Sequence, residues 1–251
     1  MPVLLVENIL RTATASSIGT VSASIDGLKD GRTSTTEAFA TGAAREFILD
    51  NTTAKNINCL GVARHNLSSV SGTIAVEGST DNISYTPLFS VTPTTDNVIL
   101  SVQSDYSYRY FKIKVSGHSA NATAADIALG DAITLERDQK FGFIAPEFAD
   151  GDEIIPNITR GQNIVGLSIK EGVKRIRLQL PYYTSSFYST NWANIAAALK
   201  QYPVYLNWKN ANDAVPFYCW PSRKMPQPKY SSNVSSYAYL DAVLELEGVT
   251  A

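Results

Sequence analysis

The chain has 251 residues, 44% of them hydrophobic and 18% charged, with a formal net charge of −2. This length and apolar content suit one large or two modest domains with buried cores and exclude a disordered chain. The near-balanced charge speaks against electrostatic binding of nucleic acid.

At the start, "MPVLLVENIL" has four consecutive apolar residues after Pro2, too few for a signal peptide, and no later run could span a bilayer. Cys59 and Cys219 lie far apart, in no metal or redox spacing. They read as two small buried hydrophobes in a soluble chain made in a reducing compartment. Residues 1–136 then alternate like β structure. "AREFILD", "NINCLGVARHN", "GTIAVEGS", "NVILSVQS", "RYFKIKVSG" and "ADIALGDAITLE" are short runs parted by Gly, Asn, Asp, Ser and Thr, the pattern of a sandwich or barrel. In the run from Tyr106 to Gly117, Arg109, Phe111, Ile113 and Val115 fall on one side of a strand. Tyr108, Tyr110, Lys112 and Lys114 fall on the other, where the lysines read as the solvated edge of a sandwich strand. Arg109, on the mostly apolar side, requires a carboxylate or carbonyl partner if buried. Gly78-Ser79-Thr80-Asp81-Asn82 reads as a turn, with Tyr85 and Leu88 pinning the next segment to the sheet.

The order of these runs resembles the discoidin-like, galactose-binding-like jelly roll. Gly78, Ser79, Asp81, Tyr85 and Leu88 match its middle element; Arg109, Tyr110, Phe111 and Ile113 match its later strand. The resemblance implies loops at one end that bind sugars, which places Asp26, Lys29, Asp30 and Arg32 at a glycan rim. It also implies, for many members, a structural calcium near the early Asp-Gly loop, with Glu136 as a partner. Too few clustered carboxylates are visible to supply six to eight oxygens, so no metal or cofactor is expected. The early loop also lacks the Trp that sugar-binding members often carry.

Residues 137–150 read as a connector that packs through Phe141, Phe143 and Phe148. Residues 151–251 read as a second antiparallel β-sandwich. "NIVGLSIKEGVKRIRLQLPYY" suggests two strands joined by a hairpin turn at Glu171-Gly172. "TNWANIAAALKQYP" predicts one flanking helix over about 190–201. Thr190 or Asn191 caps it, Trp192, Ile195, Ala196 and Leu199 form its apolar face, and Pro203 ends it. In "PFYCWPSRKMPQPKYSSNVSSY" repeated prolines predict an extended segment. It is either a loop draped on its own sandwich, an arm that meets a neighbouring subunit through Phe217, Tyr218, Trp220, Arg223 and Tyr230, or a ligand groove. Tyr182, Tyr183 and Phe187 form a second aromatic cluster with the same alternatives. The final run, 237–249, alternates Leu240, Ala242, Leu244 and Leu246 with Tyr239, Asp241, Val243, Glu245 and Glu247.

A helix flanked by antiparallel strands and closed by such a strand is similar to the β-sandwich-plus-helix unit of tailed-phage tail-tube, distal-tail and baseplate-hub proteins. This resemblance implies a virion structural subunit of the tail, tail tip or baseplate, made in the host cytoplasm, whose partners are its own copies and other tail proteins. The jelly roll, here first rather than second as in distal-tail proteins, would decorate the surface or contact neighbours.

No catalytic motif is visible. His65 and His118 fall in turn-like segments and read as surface-loop residues. The carboxylate pairs on offer, Asp150 with Asp152 or Glu153 and Glu245 with Glu247, read as an acidic turn and a strand face. The expectation is a non-enzymatic assembly protein without nucleic-acid or membrane partners. The alternatives are a monomeric carbohydrate-binding module protein and a phage capsid or neck protein.

Overall fold

In the computed structural model the described residues are 1–18, 25–41, 45–140, 142–145, 152–158, 160, 162–170, 172–209, 215–222, 227–234 and 237–250. The chain is mainly β, with antiparallel sheets as its alternation predicts; the described residues also hold a short 3-10 turn, Ile9–Arg11, and one longer helical segment.

The first sheet runs β2-β4-β7-β5-β6, with β9 beside β4. Its strands are β2 (Thr14–Ile18), β4 (Arg45–His65), β5 (Thr73–Ser79), β6 (Thr86–Val91), β7 (Asn97–Ser116) and β9 (Asp126–Gly130). A small pair, β3 (Glu37–Phe39) with β8 (Ala122–Ala124), completes this half. β4 and β7 form one long ribbon. Register shifts between Asp50 and Lys55 and between Ile57 and Cys59 mark extra residues that bend it. Phe47 and Leu49 before the shifts therefore share a core with Ile57, Leu60 and Val62 after them, together with Ile74, Val76, Phe111, Ile113 and Val115. β7 lies between β4 and β5 and is a central strand. Its lysines are half-buried in a cross-strand charge ladder: Lys112 Nζ lies 2.8 Å from Glu77 and 3.8 Å from Glu46, and Lys114 Nζ 3.6 Å from Glu46.

The second sheet runs β10-β1-β14-β15-β17-β13, with β16 beside the first part of β17. It comprises β1 (Val3–Leu5), β10 (Ala132–Thr134), β13 (Lys174–Thr184), β14 (Val204–Asn207), β15 (Phe217–Pro221), β16 (Lys229–Val234) and β17 (Tyr237–Thr250). Pairing crosses the expected boundary at residue 136: β1 and β10 come from the first segment but bond into this sheet, β1 also pairing β14. The proline-rich segment, extended as its prolines predict, supplies the paired strands β15 and β16. Its prolines 216, 221 and 228 sit at or outside strand ends, where no ladder donor is lost.

One face of this sheet is covered by the helical segment α1, built from a first turn Ser185–Phe187, a wider turn Tyr188–Trp192 and a regular helix Ala193–Gln201. Tyr188, Ile195 and Leu199 seat on Leu178, Leu180, Leu206, Phe217 and Leu244. α1 begins earlier than the spacing predicts because Thr184, not Thr190 or Asn191, caps it: its side chain accepts from the Phe187 amide at 3.2 Å. Glu136 accepts from the Thr184 amide at 2.8 Å, so this carboxylate supports the helix start. Tyr202 is extended before Pro203, which stops the helix as expected.

The other face of the sheet packs on the sandwich. Leu5, Tyr205 and Tyr218 meet Cys59, Ala63, Val98, Leu100 and Ala128. Gly61 makes the close approach feasible, since a Cβ there would stand 2.8 Å from the Tyr205 ring.

Two strands stand apart from both sheets. β11 (Glu153–Ile158) and β12 (Ile164–Lys170) pair only with each other. The turn expected at Glu171-Gly172 includes Glu171, outside the described residues; among the described residues β12 pairs β11 and β13 pairs β17, not each other.

Candidate functional site

The β11–β12 hairpin is amphipathic. Alternation puts Ile154, Pro156 and Ile158 on one face, and the register sets Ile154 opposite Ile169 and Pro156 opposite Leu167, with Val165 continuing that side. This face is wholly apolar. Ile154, Ile158, Val165, Leu167 and Ile169 are each 57–69% exposed. The opposite face is mixed: it carries Ile155, itself 43% exposed, beside polar pairs in which Asn157 Nδ2 donates to Ser168 Oγ at 3.0 Å and Lys170 lies 3.7 Å from Glu153. Exposed single hydrophobes are ordinary, but a contiguous aliphatic face on a two-stranded ribbon is not. Such a ribbon has marginal stability in water by itself. This face carries no charge and no hydrogen-bonding side chain, so its chemistry is contact with another apolar surface.

The aromatic residues expected at an interface are mostly elsewhere. Phe217 and Tyr183 are fully buried in the core beneath α1, and Tyr218 is fully buried between the two sheets, where its hydroxyl donates to the Gly31 carbonyl at 3.1 Å. These three hold the chain together and are not available to a partner. Phe187 is half-buried, edge-on to Tyr183 at 5.0 Å. Trp220 is half-buried, while Tyr182 and Tyr230 are exposed on separate strands. Tyr182 sits at a bulge with φ +57°, its amide donating to Asp241 at 2.7 Å. Arg223 lies outside the described residues, as do Phe141, Phe148 and Asp150.

The expected glycan rim lies at the junction with the second sheet. Lys29 pairs with Asp26 at 2.8 Å, and Asp30 accepts from the Arg32 amide at 2.7 Å. The Lys29 carbonyl accepts from Arg11 Nε at 3.1 Å, and Gly31, at φ +76°, would bring a Cβ within 3.0 Å of Pro203. The loop is thus clamped against the junction on one side. Arg11 continues the clamp: it stacks on Tyr202 at 3.8 Å and its Nη2 lies 3.6 Å from the fully buried Asp126. Tyr205 donates to the same carboxylate at 2.8 Å. Burial raises the Asp126 pKa, against the opposing pull of Arg11.

A second polar–aromatic cluster occupies the sandwich surface. Arg109, whose side chain is 41% exposed rather than buried, meets Asp50 with two bonds of 2.9 Å each. Hydrogen bonding to Arg109 holds the Asp50 carboxyl below its usual range. Arg109 also lies over the Tyr110 ring at 4.7 Å, and Lys112 lies over Tyr85 at 4.2 Å. Beside them is the expected turn: Asp81 accepts from the Ile83 and Ser84 amides at 2.9 Å each, which lowers its pKa to about 2, and Asn82 takes φ +62°.

A groove of about 440 Å³ lies between Lys140, Gly142, Phe143 and Ile144 and the outer side of β13 and β17. Its charged walls are tied by Arg175–Glu247 at 2.8 Å and Arg177–Glu245 at 3.9 Å, so the expected carboxylate pair Glu245 and Glu247 meets arginines.

Both histidines are buried, not on surface loops as their turn-like segments suggested. His65 Nδ1 accepts from the Leu67 amide at 3.2 Å, and burial lowers the His65 pKa to about 4. His118 is held against the Ala120 carbonyl at 3.0 Å. Cys59 and Cys219 are fully enclosed, as expected, and burial pushes both thiols up. Sequence reasoning missed the β11–β12 face. The period-two series Ile154, Pro156, Ile158 and Val165, Leu167, Ile169 was the available signal, and it contains no aromatic, charge or turn glycine to draw attention.

No family model matches this chain, and no curated protein matches it. Among solved structures it is similar to the CBM32 of AlyQ in complex with 4,5-unsaturated mannuronic acid, at 20% identity and TM-score 0.39, over 46% of this chain and 92% of that one. It is similar to CpGH89CBM32-5 from Clostridium perfringens in complex with GalNAc-β-1,3-galactose, at 10% identity and TM-score 0.42, over 51% and 99%. It is also similar to chitosan-binding module 1 of the chitosanase/glucanase from Paenibacillus sp. IK-5, at 13% identity and TM-score 0.39, over 49% and 98%. Each is a carbohydrate-binding module whose nearly complete length is matched by about half of this chain.

Proposed function

We propose that this chain is a non-enzymatic structural subunit that works by assembling with other protein chains, as a component of the tail, tail tip or baseplate of a tailed-phage virion. The observation that carries the assembly reading is the unpartnered apolar face of the β11–β12 hairpin. A ribbon of this size lowers its free energy by covering such a face, and patches of this kind mark protein contacts. The virion placement rests on the order of the second half, in which α1 follows β13 and the long strand β17 closes the chain. No turnover is included in the reading: both histidines and both thiols are enclosed, and His65 is held neutral. Immunogold electron microscopy of the source particles tests the proposal. Regular labelling of a tail structure is expected; a chain absent from every particle and solitary in solution overturns it.

A second reading has the sandwich bind a glycan, as the similar modules do. The cluster of Tyr85, Tyr110, Arg109 and Asp50 favours it, because rings beside a fixed guanidinium–carboxylate pair offer stacking and polar contacts together. On a glycan array, Tyr110→Ala is then expected to abolish signal that the unaltered chain gives. Signal indifferent to that change, or none at all, removes this reading.

A further inference from the structure

We infer that the partner of the hairpin is the same hairpin face of a second copy of this chain, the two aliphatic faces packing directly on each other. The inference rests on the assembly reading and names its contact. Three observations lead to it.

The first is chemical. Ile154, Pro156, Ile158, Val165, Leu167 and Ile169 present no donor, acceptor or charge, while the hydrogen bond of Asn157 to Ser168 and the Glu153–Lys170 pair lie on the opposite side. A face of this kind has no directional group with which to select a polar, anionic or cationic ligand. It selects only by shape and apolarity.

The second is the inventory of what could cover it. Among the described residues, the other strongly exposed large hydrophobes are Met1, Ile83, Ile144, Tyr182 and Tyr230, each in a different part of the chain. The groove beside β13 sets Phe143 and Ile144 next to the Arg175–Glu247 and Arg177–Glu245 pairs, so an uncharged ribbon seated there would strip water from four charges. The surface that matches the hairpin face in size and character is that face itself.

The third is area. Six side chains exposed to this degree offer on the order of 500 Å² per copy, so two faces bury about 1,000 Å², the lower bound of a specific interface. Face-to-face packing at about 10 Å turns two marginal ribbons into a four-stranded unit with a dry centre. The contact is isologous, each residue meeting the same patch on its partner, so it joins copies in pairs about a two-fold axis. Any larger particle then uses other surfaces to link these pairs.

Cysteine cross-linking on the full chain tests this. Cys59 and Cys219 are fully buried, so an added surface thiol reports alone. Leu167→Cys is expected to give a disulfide-linked dimer at micromolar concentration under mild oxidation, and Ser168→Cys, on the opposite face, is expected not to. Leu167→Asp is expected to weaken association by at least about 100-fold, since each dimer loses two buried leucines. Its thermal melt at low concentration should match that of the unaltered chain, because Leu167 is exposed in the single chain. Association that persists in Leu167→Asp, with no cross-link from Leu167→Cys, overturns this inference and leaves the assembly reading standing. A chain of 27.2 kDa at every concentration, absent from particles, overturns both. Co-sedimentation with phosphatidylcholine vesicles that Leu167→Asp abolishes, without any protein dimer, assigns the face to lipid and overturns the inference.

Discussion

Asp126 shows how one buried charge ties the molecule together. It is fully enclosed, and its charge is offset by Arg11 at 3.6 Å and the Tyr205 hydroxyl at 2.8 Å. Removing the guanidinium leaves that carboxylate uncompensated, so Arg11→Ala should destabilise the chain by about 3 kcal/mol in urea unfolding. Arg11→Ala combined with Asp126→Asn should recover a good part of the loss, because no charge is then stranded. His65 supplies a pH dependence. Its folded pKa, about 4, lies below the unfolded value of about 6.5, with only the Asp96 carboxylate opposing the effect of burial. Between those values the unfolded chain binds a proton that the folded chain refuses. Stability present above about pH 6.5 is therefore lost as pH falls toward 4, by on the order of 3 kcal/mol. Urea midpoints across that window should show the loss, and His65→Gln should flatten it.

Among the elements, α1 illustrates a local rule overruled by a distant one. The i, i+3, i+4 spacing correctly marked Ile195 and Leu199 as its buried stripe. It did not mark the start, because the cap is Thr184 and the carboxylate steadying it comes from Glu136, far earlier in the chain. Thr184→Ala should cost about 1 kcal/mol in thermal or urea unfolding, from loss of the cap bond to Phe187. The alternation in β17 likewise named Leu240, Ala242, Leu244 and Leu246 as the inward face, and they are buried. For β12 the same alternation was visible, yet its pairing partner was misassigned. Alternation specifies a strand's two faces but not which neighbour it bonds, and β12 bonds β11 although β13 is the nearer strand in sequence.

In the whole molecule, the two sheets behave as layers of one body. Tyr205 and Tyr218 are buried between them, their rings 4.8 Å apart, and β1 and β10 carry the first segment into the second sheet. Unfolding either layer alone would expose these aromatics and strand the Arg11–Asp126 pair. Calorimetry should therefore give one transition, with calorimetric and van't Hoff enthalpies in agreement. Two resolved transitions would show that the layers are energetically separate.

Legible in the residues alone were the mainly β class, the sandwich strands, the Ser79–Asp81 turn, the burial of both cysteines and the inward face of the helix. Each follows from side-chain periodicity or from chemistry within a few residues. That Phe217, Tyr218 and Tyr183 lie inside the chain, that the Asp26–Arg32 loop is clamped at a junction, and that an aliphatic hairpin stands uncovered came from long-range packing. Burial depends on which distant segments meet, and period-two alternation carries no record of that choice.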